Sequence, residues 1–347
     1  MEDNRQFNND GTPVESEHGS VPQELAPPST PTPKLRVRWV KLAVILLAVG
    51  LCMNVVGWIS GARGVGLAFT QGRLRIVSFT GEHEVHTGAM GIPNLNAITE
   101  ININARSARV IIEPAAHGEL LSISLTNISP DTVSHSDTAM RINATDEQTV
   151  ITIMNFGFAN VRREIRLRVP PEQADSISIV TTSGRIDVEG VNIENLYTRA
   201  NSGSVNLNNI NAAQLSAHAT SGAVRGENIH FSTGDLQSTS GAINITNASW
   251  DNLTARATSG AVRINDGQIN QNYANGQTCL QANSGAVRLA LRNSRHDFSY
   301  DLNVNSGSIR INGDRISGRT ANAASEQGGH AITMRATSGS VRLDFHN

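Results

Sequence analysis

The chain has 347 residues, 39% hydrophobic, 17% charged and only 4% aromatic, with a formal net charge of −2. That length supports a sizeable core of aliphatic rather than aromatic side chains, and the near-neutral balance gives no pull toward nucleic acid. Lys41 is the last lysine, which excludes a P-loop lysine or a Schiff-base lysine from everything after it; two dispersed cysteines, Cys52 and Cys279, suggest neither a bridge nor a zinc site.

Residues 1–33 hold six acids, one base and six prolines. Such a segment cannot bury enough apolar area to offset its ordering entropy, so residues 1–38 are expected to form a disordered Pro-rich cytoplasmic tail. Lys34, Arg36, Arg38 and Lys41 then cluster without an acid. Leu42 to Ile59 follows as LAVILLAVGLCMNVVGWI, with no charge and with Trp39 and Trp58 near its ends. At ~1.5 Å per residue it spans about 27 Å, close to a bilayer core. Residues 39–60 are therefore expected to form a transmembrane signal-anchor helix, and the basic cluster ahead of it places the N-terminus in the cytoplasm and the rest of the chain outside the cell membrane. Ser60-Gly61-Ala62 has the form of a cleavage site, but the long preceding region favours an uncleaved anchor.

Residues 61–97 are expected to be a linker with N-terminal cap strands. Within them Glu82-His83-Glu84-Val85-His86 has a metal-like look, but it lacks the spacing of a helical zinc site, and on a strand His83 and His86 would point to opposite faces. From about residue 71 the pattern is β: Ile101-Asn102-Ile103, Leu121 to Leu125 and Ile165 to Val169 all alternate apolar with polar.

A Ser-Gly pair then recurs at Ser183-Gly184, Ser202-Gly203, Ser221-Gly222, Ser240-Gly241 and Ser259-Gly260, always 19 residues apart, and again at Ser284-Gly285, Ser306-Gly307 and Ser338-Gly339 after gaps of 25, 22 and 32. Its surroundings recur too: 219–226 reads ATSGAVRG, 257–264 ATSGAVRI and 336–343 ATSGSVRL. Aliphatic residues stand three and five positions after the serine, and small or aliphatic ones two and four before it. Column identity of this kind is expected of units that stack in parallel and in register, ~4.8 Å apart. Residues 98–347 are therefore expected to form an all-β, single-chain parallel β-solenoid of ~19-residue coils, right-handed like other parallel crossovers. Glycine would permit the corner dihedrals, and stacked side chains such as Thr220, Asn283 and Asn305 would hydrogen-bond along the axis. The longer gaps would be loops bulging from the coil. The rival is an antiparallel meander or propeller with Ser-Gly hairpins.

These marks resemble the bacterial "putative adhesin" domains of unknown function found in membrane-anchored envelope proteins, the Lia-type envelope stress proteins among them. The resemblance rests on Arg166-Leu167-Arg168-Val169-Pro170, Ile177-Ser178-Ile179, Thr182-Ser183-Gly184-Arg185-Ile186-Asp187-Val188 and the Ser-Gly coils, and covers 98–347. It implies the fold and an N-terminal membrane segment. It carries over no catalytic residue.

Evidence for chemistry is thin. Asp187 and Glu189 lie two apart, but a sugar-cleaving pair on a β-helix needs carboxylates facing one bond. No Gly-x-Ser-x-Gly elbow occurs, and His218 and His230 read as lone, solvated residues. The one outward feature is basic. Arg225, Arg263, Arg288, Arg310 and Arg342 stand four residues after the repeated serine. Arg199, Arg256 and Arg335 stand three before it, with His218 in the same column. Stacking would align them as a stripe for an anionic ligand, interrupted at Asp187, Asn206 and Asn244; the plainer account is a solvated face. The sequence thus points to a non-catalytic, membrane-anchored binding, scaffolding or envelope-sensing module. It implies no cofactor, metal or nucleic-acid partner, and an anionic envelope polymer or another envelope protein as ligand. The alternative is a polysaccharide lyase or hydrolase on the same fold, with the insertions 266–280 and 313–335 as site walls. A third possibility is polymerisation through exposed coil ends.

Overall fold

The computed structural model describes residues 36–59, 64–70, 73–79, 97–128, 130–145, 151–156, 163–170, 174–270, 276–324 and 329–345. The tail 1–35 and the Glu82–His86 motif lie outside them. Two compact units divide between Cys52 and Met53, where the sequence suggested boundaries after 38, 60 and 97.

In the first unit lies most of a 24-residue helix, Arg36–Ile59. Leu42, Val44, Ile45, Leu46, Leu47, Val49 and Leu51 are exposed on it. Among the described residues no helix is long and apolar enough to cross a membrane.

Beyond the end of that helix, the second unit is built of β-strands with two short 3-10 turns among the described residues. Gly64–Thr70 and Arg73–Phe79, from the expected linker region, form a hairpin that pairs with Ile151–Phe156 in a separate three-stranded antiparallel sheet. The remaining 21 strands form one sheet that winds on itself. Its middle follows the 19-residue repeat. Val205–Ala219 pairs in parallel with Val224–Ser238, and that with Ile243–Ala257, each residue opposite the one 19 positions on. The antiparallel meander is thereby excluded for these strands. In both ladders the register skips the same two columns, Asn209/Asn228/Asn247 and Ala213/Ser232/Asp251. Each rung therefore has three straight segments, as in 205–208, 210–212 and 214–219, with a third corner at Ser-Gly.

Alternation buries the expected columns. Ile186, Val205, Val224, Ile243, Val262 and Val287, three after each serine, are all inaccessible. Phe231 stacks on Trp250 with centroids 6.3 Å apart at 14°. Glycine makes room for both rings: a Cβ on Gly234 would enter the Phe231 ring, and one on Gly267 would come 2.6 Å from Trp250.

Two expectations about the corners are corrected. Corner glycines such as Gly203 and Gly222 do not need a left-handed φ. They are needed because a Cβ there would collide with the carbonyl oxygen of the corner below, Gly203 on Gly184 and Gly222 on Gly203. Hydrogen bonding through the Thr220 and Asn283 column is carried by main chain. The amide of Ser240 donates to the Thr220 carbonyl at 2.8 Å, and that of Ser338 to Asn283 at 2.7 Å. A side-chain ladder exists at another corner: Asn209, Asn228, Asn247 and Asp266 all have φ near +50°. Asn228 donates to Asn209 at 3.0 Å, Asn247 to Asn228 at 2.5 Å, and Arg292 to Asn247 at 2.7 Å.

The order of rungs departs from the order of the chain at both ends. Gln277–Ala282 and Val287–Leu291 do not pair with the next unit, Phe298–Ser306 and Ile309–Ile311. They pair with the last one, His330–Ser338 and Val341–Phe345, which in turn pairs with 298–311. The last rung is thus inserted between two earlier ones, and the corner stack runs Gly260, Gly285, Gly339, Gly307. The segment expected to bulge as a loop supplies the means. Asp314–Ile316 and Thr320–Ala323 pair antiparallel with the outermost rung and turn the chain back. The other end mirrors this. Glu100–Ala105 and Arg109–Pro114 lie between the rung 176–189 and the outermost rung formed by Ala139–Ala144 and Glu164–Val169. Ser122–Thr126 and Val133–His135 cover that outermost rung antiparallel. Ten rungs in all give nine spacings of ~4.8 Å, about 43 Å of stack. Antiparallel cover on both outermost rungs occupies the edges that end-to-end polymerisation would use.

Candidate functional site

Cross-strand pairing assigns each outward arginine a neighbour. In the column four after the serine, Arg263 faces Arg288, Arg288 faces Arg342, Arg342 faces Arg310 and Arg310 faces Arg315. Four of the sequence-predicted arginines therefore form one uninterrupted ladder, with Arg342 between Arg288 and Arg310 because its rung is inserted there. Arg315 extends it. That residue was not legible as a member, since it comes from the turn-back segment rather than from a repeat. All are exposed except Arg342, which is half-buried.

The other predicted arginines do not join it. Arg225 stands between Asn206 and Asn244. Arg199, Arg256 and Arg335 belong to a different face, across the Ser-Gly corner, in a column that reads Arg199, His218, Gln237, Arg256, Gln281, Arg335. No two arginines are adjacent in it, so the single stripe expected on both sides of the corner is corrected to one ladder on one side.

Neutralisation differs between the two ends of the ladder face. Toward the first rungs three arginines have carboxylates. Arg109 donates to Asp187 at 2.6 Å, Arg166 to Glu164 at 2.8 Å and Arg168 to Glu113 at 2.9 Å. The Glu164 hydrogen bond, with further help from the Glu113 charge, raises the Arg166 pKa against the cost of burial. Along the five-arginine ladder one carboxylate lies within ion-pairing distance among the described residues. It is Asp344, whose Oδ2 is 2.6 Å from Arg342 Nε and 3.9 Å from Arg288 Nε. Arg263 has only an amide, Asn244 Oδ1 at 3.4 Å.

Among the described residues, the histidines and carboxylates considered from the sequence are not brought into a catalytic arrangement. His218 is not lone: its Nε2 lies 3.1 Å from Asp235 Oδ2 and 3.2 Å from Ser216 Oγ, and its ring meets Tyr197 edge-on at 5.9 Å. Hydrogen bonding to His218 holds the Asp235 carboxyl below its usual pKa, with burial opposing. Serine and carboxylate compete for the same nitrogen, whereas a relay needs them on opposite ring nitrogens. His230 Nδ1 is engaged by Ser249 Oγ at 2.7 Å. Asp187 is fixed by Arg109 and Asn206, not by Glu189. Among the described residues no three His, Cys, Asp or Glu side chains are grouped to hold a metal. A shallow, open groove of ≈ 590 Å³ on the ladder face is polar, with Asp187, Arg225 and Glu227 in its lining.

One buried polar chain was also missed. Trp250 Nε1 donates to Thr278 Oγ1 at 2.8 Å, and Thr278 Oγ1 lies 2.8 Å from His330 Nε2, while His330 Nδ1 has no hydrogen-bond partner among the described residues. Burial pushes the His330 pKa down to about 4, the nearby Asp251 carboxylate offsetting part of the effect.

Among solved structures, similar chains include a "putative cell adhesion protein" from Clostridium sporogenes, 12% identical, covering 76% of this chain and 100% of that one, TM-score 0.22. Others are described as "putative adhesins". One from Bacteroides fragilis is 12% identical over 72% and 94% of the two chains, TM-score 0.36. One from Parabacteroides merdae is 11% identical over 71% and 93%, TM-score 0.37. No curated protein matches. A family model, Toastrack DUF4097, matches residues 98–344. With the wound sheet, the Ser-Gly corner stack and this match over most of its length, the chain belongs to the Toastrack DUF4097 family.

Proposed function

We propose that the chain is a single-pass membrane protein that presents a right-handed, adhesin-like β-solenoid outside the membrane, as a binding, scaffolding or envelope-sensing module without catalysis. The reading is carried by the outward face itself, which repeats the same side-chain positions from rung to rung and carries a shallow, open groove. Such a face suits an extended ligand, an anionic envelope polymer before a second envelope protein. The anchor is supported by helix Arg36–Ile59, in which Leu42, Val44, Ile45, Leu46, Leu47, Val49 and Leu51 are exposed, with Leu47 at 72%. A helix apolar all round needs lipid or a protein core around it. The basic residues before it support a cytoplasmic N-terminus.

The enzymatic alternative draws on one observation, the groove shared by Asp187 and Glu227. Against it, Asp187 accepts from Arg109 and Asn206, contacts that favour its ionised form and work against a general-acid role. Protease treatment of intact cells tests the topology: digestion of 98–347 from outside is expected, and full protection would end the membrane reading. Incubation with a panel of anionic and neutral polysaccharides tests the rest. Retention without new reducing ends or unsaturated sugars is expected; released products would establish the enzyme instead.

A further inference from the structure

The structure assigns the arginine ladder a ligand class. We propose that Arg263, Arg288, Arg342, Arg310 and Arg315 bind a linear polyuronate, an extended sugar chain with one carboxylate per residue, running along the stack axis. This deepens the binding-module reading and rests on it.

Four observations carry the proposal. The arginines are direct cross-strand partners, so guanidinium groups recur every rung, at ~4.8 Å. That spacing is of the order of one sugar in an extended 1→4-linked chain and longer than the repeat of a polyphosphate. The column beside the ladder, two positions nearer the Ser-Gly corner, is Ala261, Ala286, Ser340 and Ser308, small enough to leave a flat strip for a polymer to lie on. The charge is unspent: among the described residues one carboxylate serves five arginines, whereas Arg109, Arg166 and Arg168 at the other end of the face each have a carboxylate. That carboxylate, Asp344, also indicates the anion. Its Oδ2 sits against Arg342 Nε and is shared toward Arg288 Nε on the next rung, the way a ligand carboxylate would bridge two rungs. A fork-shaped guanidinium suits a planar carboxylate. The inserted rung is part of the site: Arg288 and Arg310 lie two rungs apart, and Arg342 supplies the guanidinium between them.

The test uses the full chain in detergent micelles and fluorescein-labelled oligogalacturonate, read by fluorescence anisotropy. Native protein should bind, more weakly as salt rises. The variant R263Q/R288Q/R310Q/R315Q should bind about thirtyfold more weakly, the effect of losing four exposed ionic contacts at roughly half a kcal/mol each. The variant R199Q/R256Q/R335Q, on the other face, should bind like native. Circular dichroism must show both variants folded and melting no lower than native, so that loss of binding is not loss of fold; should the first variant melt early, R310Q/R315Q replaces it, with a several-fold loss expected. Equal loss in both variants, absence of native binding, or tighter binding of long-chain polyphosphate than of the uronate each overturns the proposal. Sedimentation with insoluble envelope material separates this from the broader reading. If native and ladder variant are retained alike, the ladder assignment falls and the module reading stands. If native protein is not retained, the module reading falls with it.

Discussion

Acidification should loosen the rung inserted last, through His330. This residue is 4% exposed, opens the strand His330–Ser338 and packs edge-on against Phe298 at 6.1 Å. Either neutral tautomer uses Nε2 toward Thr278 and leaves Nδ1 without a partner among the described residues. The cation would place a charge in this apolar site, and burial accordingly lowers the pKa to about 4 from 6.5, against the opposing pull of Asp251. The unfolded chain takes up the proton first. Stability is therefore complete above pH 6.5, falls as pH drops toward 4 and levels off below. Linkage at ~1.36 kcal/mol per unit makes the loss about 2 kcal/mol by pH 5 and about 3 kcal/mol by pH 4. Urea unfolding of the full chain at pH 7, 5 and 4 measures this, with amide exchange across 330–345 to show which segment responds. Other carboxylates also weaken the fold in acid, Asp235 among them since its pKa is lowered, so the comparison is with His330→Gln. The variant cannot titrate and should lose less between pH 7 and 4 by the stated amount, whatever its stability at pH 7. Equal acid sensitivity of the two proteins would refute the reasoning.

Further outcomes follow from the corners and the ladder. Gly222→Ala places a methyl group against the Gly203 carbonyl, which is main chain and cannot swing aside; a loss of about 3 kcal/mol is expected, and an unchanged melting temperature would show that rungs separate freely. Asn228 holds a left-handed φ of 54° and hydrogen-bonds in both axial directions. Asn228→Ala should cost about 2 kcal/mol, and Asn228→Gly should recover roughly half by removing the backbone part; identical losses in urea titrations would mean the dihedral carries no cost. Neighbouring ladder arginines repel by about 0.9 kcal/mol per pair at water's dielectric and ~4.8 Å. Added salt, or Arg310→Gln at low salt, should therefore raise the melting temperature, and a fall in both would remove the premise that the ladder is unneutralised.

The repeat was legible because every rung poses the same packing problem. Columns around Ser-Gly could be read as buried or outward from period alone, and the structure buries Val205, Val224 and Ile243 as that period demands. The second corner was harder to see. Asn209, Asn228, Asn247 and Asp266 also recur every 19 residues, and their shared preference for left-handed φ was the available signal. The inserted rung could not be read, because 284, 306 and 338 all carry the motif and any order satisfies it. What decides the order is the antiparallel turn-back at 314–323, a tertiary event with no period. The ladder was half visible for the same reason: the column was right, but adjacency within it depends on the order of rungs. His218 and His330 were misjudged or missed because their partners, Asp235 and Thr278, lie 17 and 52 residues away.

Placing the first and last rungs one position in from the ends has a mechanical consequence. The chain enters the wound sheet through 98–114 and leaves it through 330–345, and each of these segments is hydrogen-bonded along both edges. Tension applied through the flanking segments cannot peel an outer strand one bond at a time. It must slide a doubly held strand lengthwise, breaking two rows of bonds together, so the load is met in shear. An optical-trap trace pulled through these two segments should therefore show one high-force rupture rather than a staircase.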